Sequence, residues 1–251
     1  MLLALAVLPG LVLFYVVWKL DTVEKEPMGL LLKLFFCGGL TIISAMVLGL
    51  AGEGILAELI ENQSSLIYLF IDNFVLTAMV EEGGKLFVLK KGTWKSREFN
   101  YTFDGVVYAV AVSLGFAVFE NILYVFESGF LTAIIRAVFS VPGHAVDAVF
   151  MGYFYGLARK AEGMGDRKER KLHMLEAFLV PVCLHGFYDF CLSTESLAFI
   201  LLFLIYEIVI TVAAVRKMIA LSKTDAVIPG MEYTIRHDEA VWEGIKEGKK
   251  W

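Results

Sequence analysis

Apolar residues fill seven stretches of the chain, at about 1–18, 28–52, 65–90, 104–126, 131–158, 173–192 and 196–216. Each reaches the roughly 17–25 residues that a helix needs to cross the hydrocarbon of a bilayer. Within a stretch the apolar residues lie on nearly every face, without the one-sided stripe of a helix packed on a soluble core. The pattern predicts an all-α fold, a polytopic transmembrane helix bundle of about seven spans. The first stretch has no basic segment before it and no small-residue cleavage site, and Lys19 follows it. It therefore reads as a retained helix, not a removed signal.

The connections alternate in charge. Lys19 and Lys25 follow the first span, Lys90, Lys91, Lys95 and Arg97 the third, Arg159 to Lys171 the fifth, and Arg216, Lys217 and Lys223 the last. The intervening connections, near 53–64, 127–129 and 193–195, hold no Lys or Arg. Basic loops stay on the cytoplasmic side, which predicts an outer N-terminus and a cytoplasmic C-terminus. Residues 1–222 read as a single transmembrane domain and 223–251 as a cytosolic tail, either amphipathic or without fixed structure. A multi-pass protein of the cell membrane, with the lipid bilayer as its surroundings, is expected.

Composition agrees: 58% of the 251 residues are hydrophobic, too many for a soluble domain. A net charge of −5 carries no nucleic-acid signal. Cys37, Cys183 and Cys191 lie in or beside apolar stretches and read as small buried hydrophobes, too few for a disulfide framework.

Against this background, Glu81, Glu82, Glu120, His144, His185 and Asp189 stand out. A charged residue at mid-bilayer costs roughly 2.5–3.5 kcal/mol on insertion scales, so several together approach the ~5–15 kcal/mol that holds a whole fold. Such residues face a protein interior or a wet cavity, paired or metal-bound. Glu81 and Glu82 point about 100° apart on a helix, so one can face a cavity while the other pairs with Lys85. Gly83 and Gly84 leave room there for another backbone to approach. Glu120 shares a face with Tyr124. His144 has Asp147 at i+3 and His185 has Asp189 at i+4, each placed to accept the second ring N–H, as partners of metal-binding histidines do.

Counted from the cytoplasmic rim, Glu120, His144 and His185 lie at about 24, 21 and 20 Å, in the outer half of the bilayer. Glu81 comes out at about 13 Å if its helix stops at Lys90. It levels with the others if the third helix runs on to about Trp94 or tilts, as is expected here. Asp72 and Arg136 are candidates for ion pairs toward the outer face. Glu207 has no assigned role, and the Gly152–Gly156 spacing reads as helix packing.

Three patterns, EExxK (Glu81, Glu82, Lys85), FExxxY (Phe119, Glu120, Tyr124) and HxxxD (His185, Asp189), resemble the motifs of PrsW-type intramembrane proteases. His144, followed by Met151-Gly152-Tyr153, is similar to the additional histidine motif of the wider CAAX-protease and bacteriocin-processing superfamily. The resemblance covers about Leu66 to Asp189. It implies hydrolysis of peptide bonds in a membrane-anchored protein substrate, such as an anti-sigma-factor-like protein cut at an extracytoplasmic site.

Under that resemblance, Glu81 or Glu82 is the general base, with Glu81 preferred. Glu120, His144 and His185 would hold a Zn²⁺ with one position open for water, a recognised catalytic zinc set. Asp189 would orient His185, and Tyr124 or Lys85 would assist the oxyanion. A metal-free route has Glu81 activate water while His144 or His185 stabilises the oxyanion. Two other classes stand beside the protease: a non-catalytic membrane scaffold of the same superfamily, and a proton-coupled transporter. The second would show two related halves with broken helices, which this sequence lacks.

Overall fold

The computed structural model describes residues 2–232, and nearly all of them are helical. The order is α1 (Leu2–Leu20), α2 (Met28–Leu59), α3 (Leu66–Phe70), a π-helical stretch Ile71–Ala78, α4 (Met79–Thr93), α5 (Asp104–Val138), α6 (Ser140–Gly163), α7 (Arg167–Ser193) and α8 (Leu197–Lys223). Most of the expected tail, 233–251, lies outside the described residues. The all-α membrane bundle is as the apolar pattern predicts.

Among the described residues, five segments are long and apolar enough to cross a membrane: Leu2–Leu20, Met28–Leu59, Asp104–Gly163, Arg167–Ser193 and Leu197–Lys223. Asp104–Gly163 comprises two expected spans, joined where the helix breaks at Gly129 (φ 83°, ψ −158°). That conformation suits a residue without a Cβ. The third expected span is helical from 66 to 93 but is divided by the π-helical stretch, and it is not among the five. Its last helix reaches Thr93, with the Trp94 N–H bonded to the Lys90 carbonyl. This is the extension that levels Glu81 with the histidines.

Helix α5 forms the axis of the bundle. Every residue from Phe103 to Val118 is buried, and α1, α2 and α6 pack around it. Small residues set these distances. A side chain at Gly38 of α2 would run into the Val112 carbonyl, and one at Gly115 into that of Phe35. On the α6 side, Gly152 meets the backbone of Gly105 and Val106, so that glycine pair packs helices as its spacing predicts. Leu50, Ile205 and Ile208 turn outward, as expected of lipid-facing positions. Cys191 is buried, but Cys37 is half-buried and Cys183 exposed, so the burial expected of all three holds for one.

Beyond α8 the chain folds back on the connection before α5. Thr102 N donates to the Ala226 carbonyl at 3.0 Å and Ile228 N to the Asn100 carbonyl at 2.7 Å. The start of the expected tail is therefore docked on the bundle, and Ile228 is buried there. The α1–α2 connection closes over the same place. Burial pushes the Asp21 carboxyl up to about 6 and the Glu26 carboxyl up to about 8, with neighbouring acids adding to the effect. The Tyr108 hydroxyl donates to Glu26.

Candidate active site

The site is assembled around the start of α4. The π-helical stretch before it ends with the Met79 N–H bonded to the Phe74 carbonyl, five residues back. A wide turn of this kind shifts the face that follows and is frequent at functional sites. It delivers Glu81 and Glu82 to the bundle interior together. Lys85 follows one turn on and is completely buried, its Nζ 2.7 Å from Glu82 Oε1 and 3.6 Å from Glu81 Oε2. The ammonium also lies 4.1 Å from the centre of the Phe116 ring, a favourable cation–π placement. The i+3 and i+4 pairing expected of Lys85 is present with both glutamates.

Two histidines complete the cluster. His185 of α7 places Nδ1 2.8 Å from Glu82 Oε1 and Nε2 3.1 Å from Asp189 Oδ2. Ionised carboxylates only accept, so a proton on either ring nitrogen is donated to the carboxylate it faces. Asp189 thus lies within hydrogen-bond reach of His185, the contact its i+4 spacing predicts. His144 of α6 places Nε2 2.9 Å from Glu120 Oε2 and Nδ1 3.2 Å from Lys85 Nζ. The ammonium has no lone pair to accept with, so Nδ1 accepts and Nε2 carries the proton. The two imidazole rings meet edge to face, 5.2 Å between centres.

Asp147 does not take the role its spacing predicts. Both ring nitrogens of His144 are engaged by Glu120 and Lys85, and Asp147 lines the cavity instead. Nor does a backbone approach Gly83 or Gly84. A Cβ there would only touch the side chains of Phe178 and Thr41, at 3.5 and 3.4 Å.

Glu120 is held by a group that the motifs leave out. Arg136 Nη2 lies 2.5 Å from Glu120 Oε2, and Arg136 Nε donates to Asn121 Oδ1 at 3.1 Å. The Asn121 amide in turn donates to the Ala6 carbonyl at 3.1 Å, tying α1 to the network. The Arg136 guanidinium stacks 4.0 Å from the centre of the Tyr124 ring. Tyr124 is therefore a platform for Arg136 as well as a wall of the cavity. The reversal at Gly129 makes these contacts, because it brings residue 136 back alongside residue 120. Arg136 is read from sequence only as a candidate ion pair of unspecified partner. Its near-equal offset from the turn as Glu120 is the signal that identifies the partner.

A cavity of about 410 Å³ opens over this network, lined by Glu81, Glu120, His144, Asp147, His185 and Asp189, with Asn73 and Ser193 at its margin. Ser193 Oγ donates to Asn73 Oδ1 at 3.0 Å, a link between α7 and the π-helical stretch that the sequence does not announce. A second groove of about 360 Å³ shares Thr77, Glu81, Glu120 and Tyr124 with the cavity and runs out past Ile42, Met46, Leu50 and Leu123. Its walls are mostly apolar.

One ligand atom each from Glu81, Glu82, His144 and His185 lies within 4.8 Å of the other three. This compact set includes both third-span glutamates and not Glu120, which the sequence places in the metal set. Glu81 Oε2 and Glu82 Oε2 are buried and accept from no donor among the described residues. Buried carboxylate oxygens without partners, beside two imidazoles, are the donor chemistry of a catalytic zinc centre. The residues present therefore fit a metal.

Comparison with known proteins points the same way. The family described as "PrsW family intramembrane metalloprotease" matches residues 26–215. The chain is 36% identical over 197 residues to a "Protease PrsW" of Geobacillus kaustophilus, covering 78% of this chain and 81% of that one. It is 32% identical over 210 residues to one of Clostridioides difficile, covering 82% and 85%. Another, of Halalkalibacterium halodurans, is 32% identical over 219 residues, covering 86% and 95%. No solved structure matches the chain.

Proposed function

This chain belongs to the PrsW family of intramembrane metalloproteases, and from that premise we propose that it cuts membrane-anchored proteins at the cavity beside Glu81, His144 and His185. The chain is thus a multi-pass membrane protease, and the scaffold and transporter alternatives fall away. The observation that carries the proposed site is the convergence of Glu81, Glu82, His144 and His185 within 4.8 Å beside a polar cavity.

Peptide hydrolysis needs an activated water, a stabiliser for the developing oxyanion and a proton for the leaving amine. Glu81 faces the cavity with a carboxylate oxygen that takes no hydrogen bond, only the longer 3.6 Å contact with Lys85, so it is the general base. Glu82 is fully buried and bonded to both Lys85 and His185, so it holds those two groups in place. His144 and His185, with a third-span glutamate, would hold a zinc ion, each through the Nδ1 that faces Lys85 or Glu82 without the ion; when bound it polarises the scissile carbonyl and acidifies water. Glu120 then positions His144 through Nε2, and Asp189 positions His185. Arg136, at the cavity wall, neutralises Glu120 and keeps it from Glu81.

The apolar groove that joins the cavity suits an unfolded stretch of a transmembrane segment arriving from the lipid. A single-span substrate is the class that fits, with an anti-sigma-factor-like protein as one example. Residues 1–222 act as one transmembrane domain of seven spans, with the N-terminus outside and the cavity in the outer half of the bilayer.

A metal-free route within the same activity rests on Lys85. Its ammonium, 2.7 Å from Glu82 and 3.2 Å from His144, already supplies a buried positive charge where a metal would neutralise the glutamates. One experiment tests both. A co-expressed single-span substrate is cleaved by the wild type and not by Glu81→Gln or His185→Ala, and purified protein carries about one zinc per chain that His185→Ala loses. Cleavage that persists in His185→Ala overturns the site, and cleavage that persists in Glu81→Gln alone moves the base to Glu82. Cleavage by metal-free protein after chelation retires the zinc and leaves the Lys85 route.

A further inference from the structure

At the opposite end of α5 from Glu120, three connections bring carboxylates together. Asp21 comes from the α1–α2 connection, Asp104 from the start of α5 and Asp225 from the segment after α8. One oxygen of each lies within 4.8 Å of the other two. Two oxygens bound across a single Mg²⁺ or Ca²⁺ are at most about 4–5 Å apart, so the spacing matches one ion.

The carboxylates are oriented, not merely crowded. Asp104 Oδ2 accepts from the backbone N–H of Asn100 and Tyr101, at 3.0 and 2.7 Å. Asp21 Oδ2 accepts from Glu26 N at 3.2 Å. Asp225 Oδ1 accepts from Phe103 N at 2.8 Å and Thr102 Oγ1 at 3.0 Å. Fixing one oxygen of a carboxylate directs the other.

The other oxygens are the telling ones. Asp21 Oδ1 and Asp104 Oδ1, on side chains 1% and 0% exposed, accept from no donor among the described residues. The amide oxygen of Asn100, 2% exposed and outside the trio, is also without a donor. A buried oxygen without a partner is costly and calls for an explanation. Two of them are carboxylate oxygens of the trio itself, and among the described residues no lysine or arginine forms an ion pair with the three acids. Lys25, the nearest cation in the connection, is instead turned to the Trp18 carbonyl at 2.5 Å and the Trp18 ring.

We infer that Asp21, Asp104 and Asp225 bind one hard divalent cation, Mg²⁺ or Ca²⁺, which clamps the segment after α8 to the two connections beneath it. All the donors are oxygens, the preference of these ions, and no histidine or cysteine among the described residues joins them to favour zinc. The site is separate from the cavity: Asp104 and Glu120 are sixteen residues apart on α5, about 24 Å along the axis. The inference does not depend on the protease reading.

The full chain, purified and stripped of metal, is dialysed against Ca²⁺ or Mg²⁺ and then melted, as wild type, as His144→Ala and as Asp225→Asn. The wild type and His144→Ala each bind one cation at this site, and their melting midpoints rise by roughly 5–10 °C at a hundredfold excess over Kd. Asp225→Asn keeps the oxygen that accepts from Phe103 but drops the charge, and it binds at least tenfold more weakly with little rise. Asp104→Asn behaves the same way if it folds; if it does not, Asp225→Asn decides. No rise in the wild type with either cation overturns the site. So does a full rise in Asp225→Asn, or a rise that vanishes in His144→Ala, which would put the ion in the cavity.

Discussion

Helix α5 carries two acids along its long first arm, Glu120 half-buried and Asp104 fully buried, and they are treated in opposite ways. Glu120 has Arg136 at 2.5 Å and His144 at 2.9 Å, and the glutamates beside it share Lys85 and His185. Asp104 sits among Asp21, Asp225 and Glu26, with backbone N–H groups but no side-chain cation. Both clusters concentrate carboxylates away from water. One is offset by Lys85, Arg136 and His185 beside the acids, although Glu81 Oε2 and Glu82 Oε2 still lack hydrogen-bond donors. The other has no such partner and needs protons or a metal ion from outside. Side chains that carry their own counter-charge can hold a reactive group in a dry place without any ligand. Acids that lack one make the local fold depend on what binds them.

The largest expected effect falls on the chemistry of the paired cluster. Glu81→Gln keeps the size of the side chain and removes the base. Cleavage of a single-span substrate by purified protein should fall by about 10²–10⁴-fold, the range for losing a positioned acid or base, with the monodisperse elution of the wild type retained. A variant that cleaves at more than a tenth of the wild-type rate would move the base to Glu82.

Next comes the counter-charge. Lys85→Met leaves Glu81 and Glu82 buried without it, and removing one partner of a buried pair costs about 3–5 kcal/mol. Thermal or denaturant unfolding should register that loss, and Glu82→Gln in the same chain should recover part of it. Equal stability of the single and double variants would show that Lys85 is not what neutralises the pair.

Arg136→Gln is expected to be milder, because Arg136 and Glu120 retain some access to the cavity. The loss of charged hydrogen bonds predicts about 1.5–3 kcal/mol by the same unfolding measurement. The smallest effect tests the other end of α5. Without divalent cations, Asp104→Asn should raise stability by about 1–3 kcal/mol, since it removes like-charge repulsion at under 5 Å. With saturating Ca²⁺ or Mg²⁺ the sign should reverse. A variant that is destabilised equally in both conditions would make Asp104 an ordinary backbone anchor, and the contrast between the two ends would collapse.

The paired cluster was largely legible because its logic is local. Lys85 lies one turn from Glu81 and Glu82, and Asp189 one turn from His185, so helical geometry alone predicts those contacts. The levelling of Glu120, His144 and His185 followed from counting 1.5 Å steps from a charged rim, and Glu81 joined them only on the expectation of a longer or tilted third helix. Helical spacing misled at Asp147, because two stronger partners from other helices claimed the His144 ring first. It also gave no hint of the π-helical stretch, whose wide turn aims Glu81, nor of the second compact glutamate in place of Glu120 among the possible metal donors. The acid trio at the other end was invisible: each aspartate reads as an ordinary polar residue at a helix end, and they are drawn from three distant parts of the chain.

By itself, then, the amino-acid sequence determined that the protein is a membrane-crossing helix bundle, which of its polar residues are out of place in lipid, and which neighbours one turn away would steady them. Those follow from hydrophobicity and from the fixed pitch of a helix, and neither needs the chain to be folded. Which helices face one another was decided only by tertiary packing: the reversal at Gly129 that gives Glu120 its arginine, the glycine contacts that seat α5 against α2 and α6, and the closure after α8 that brings Asp225 to Asp21 and Asp104. Such pairings depend on shape and on the sum of many weak contacts across the bundle, a quantity that no single stretch of sequence contains.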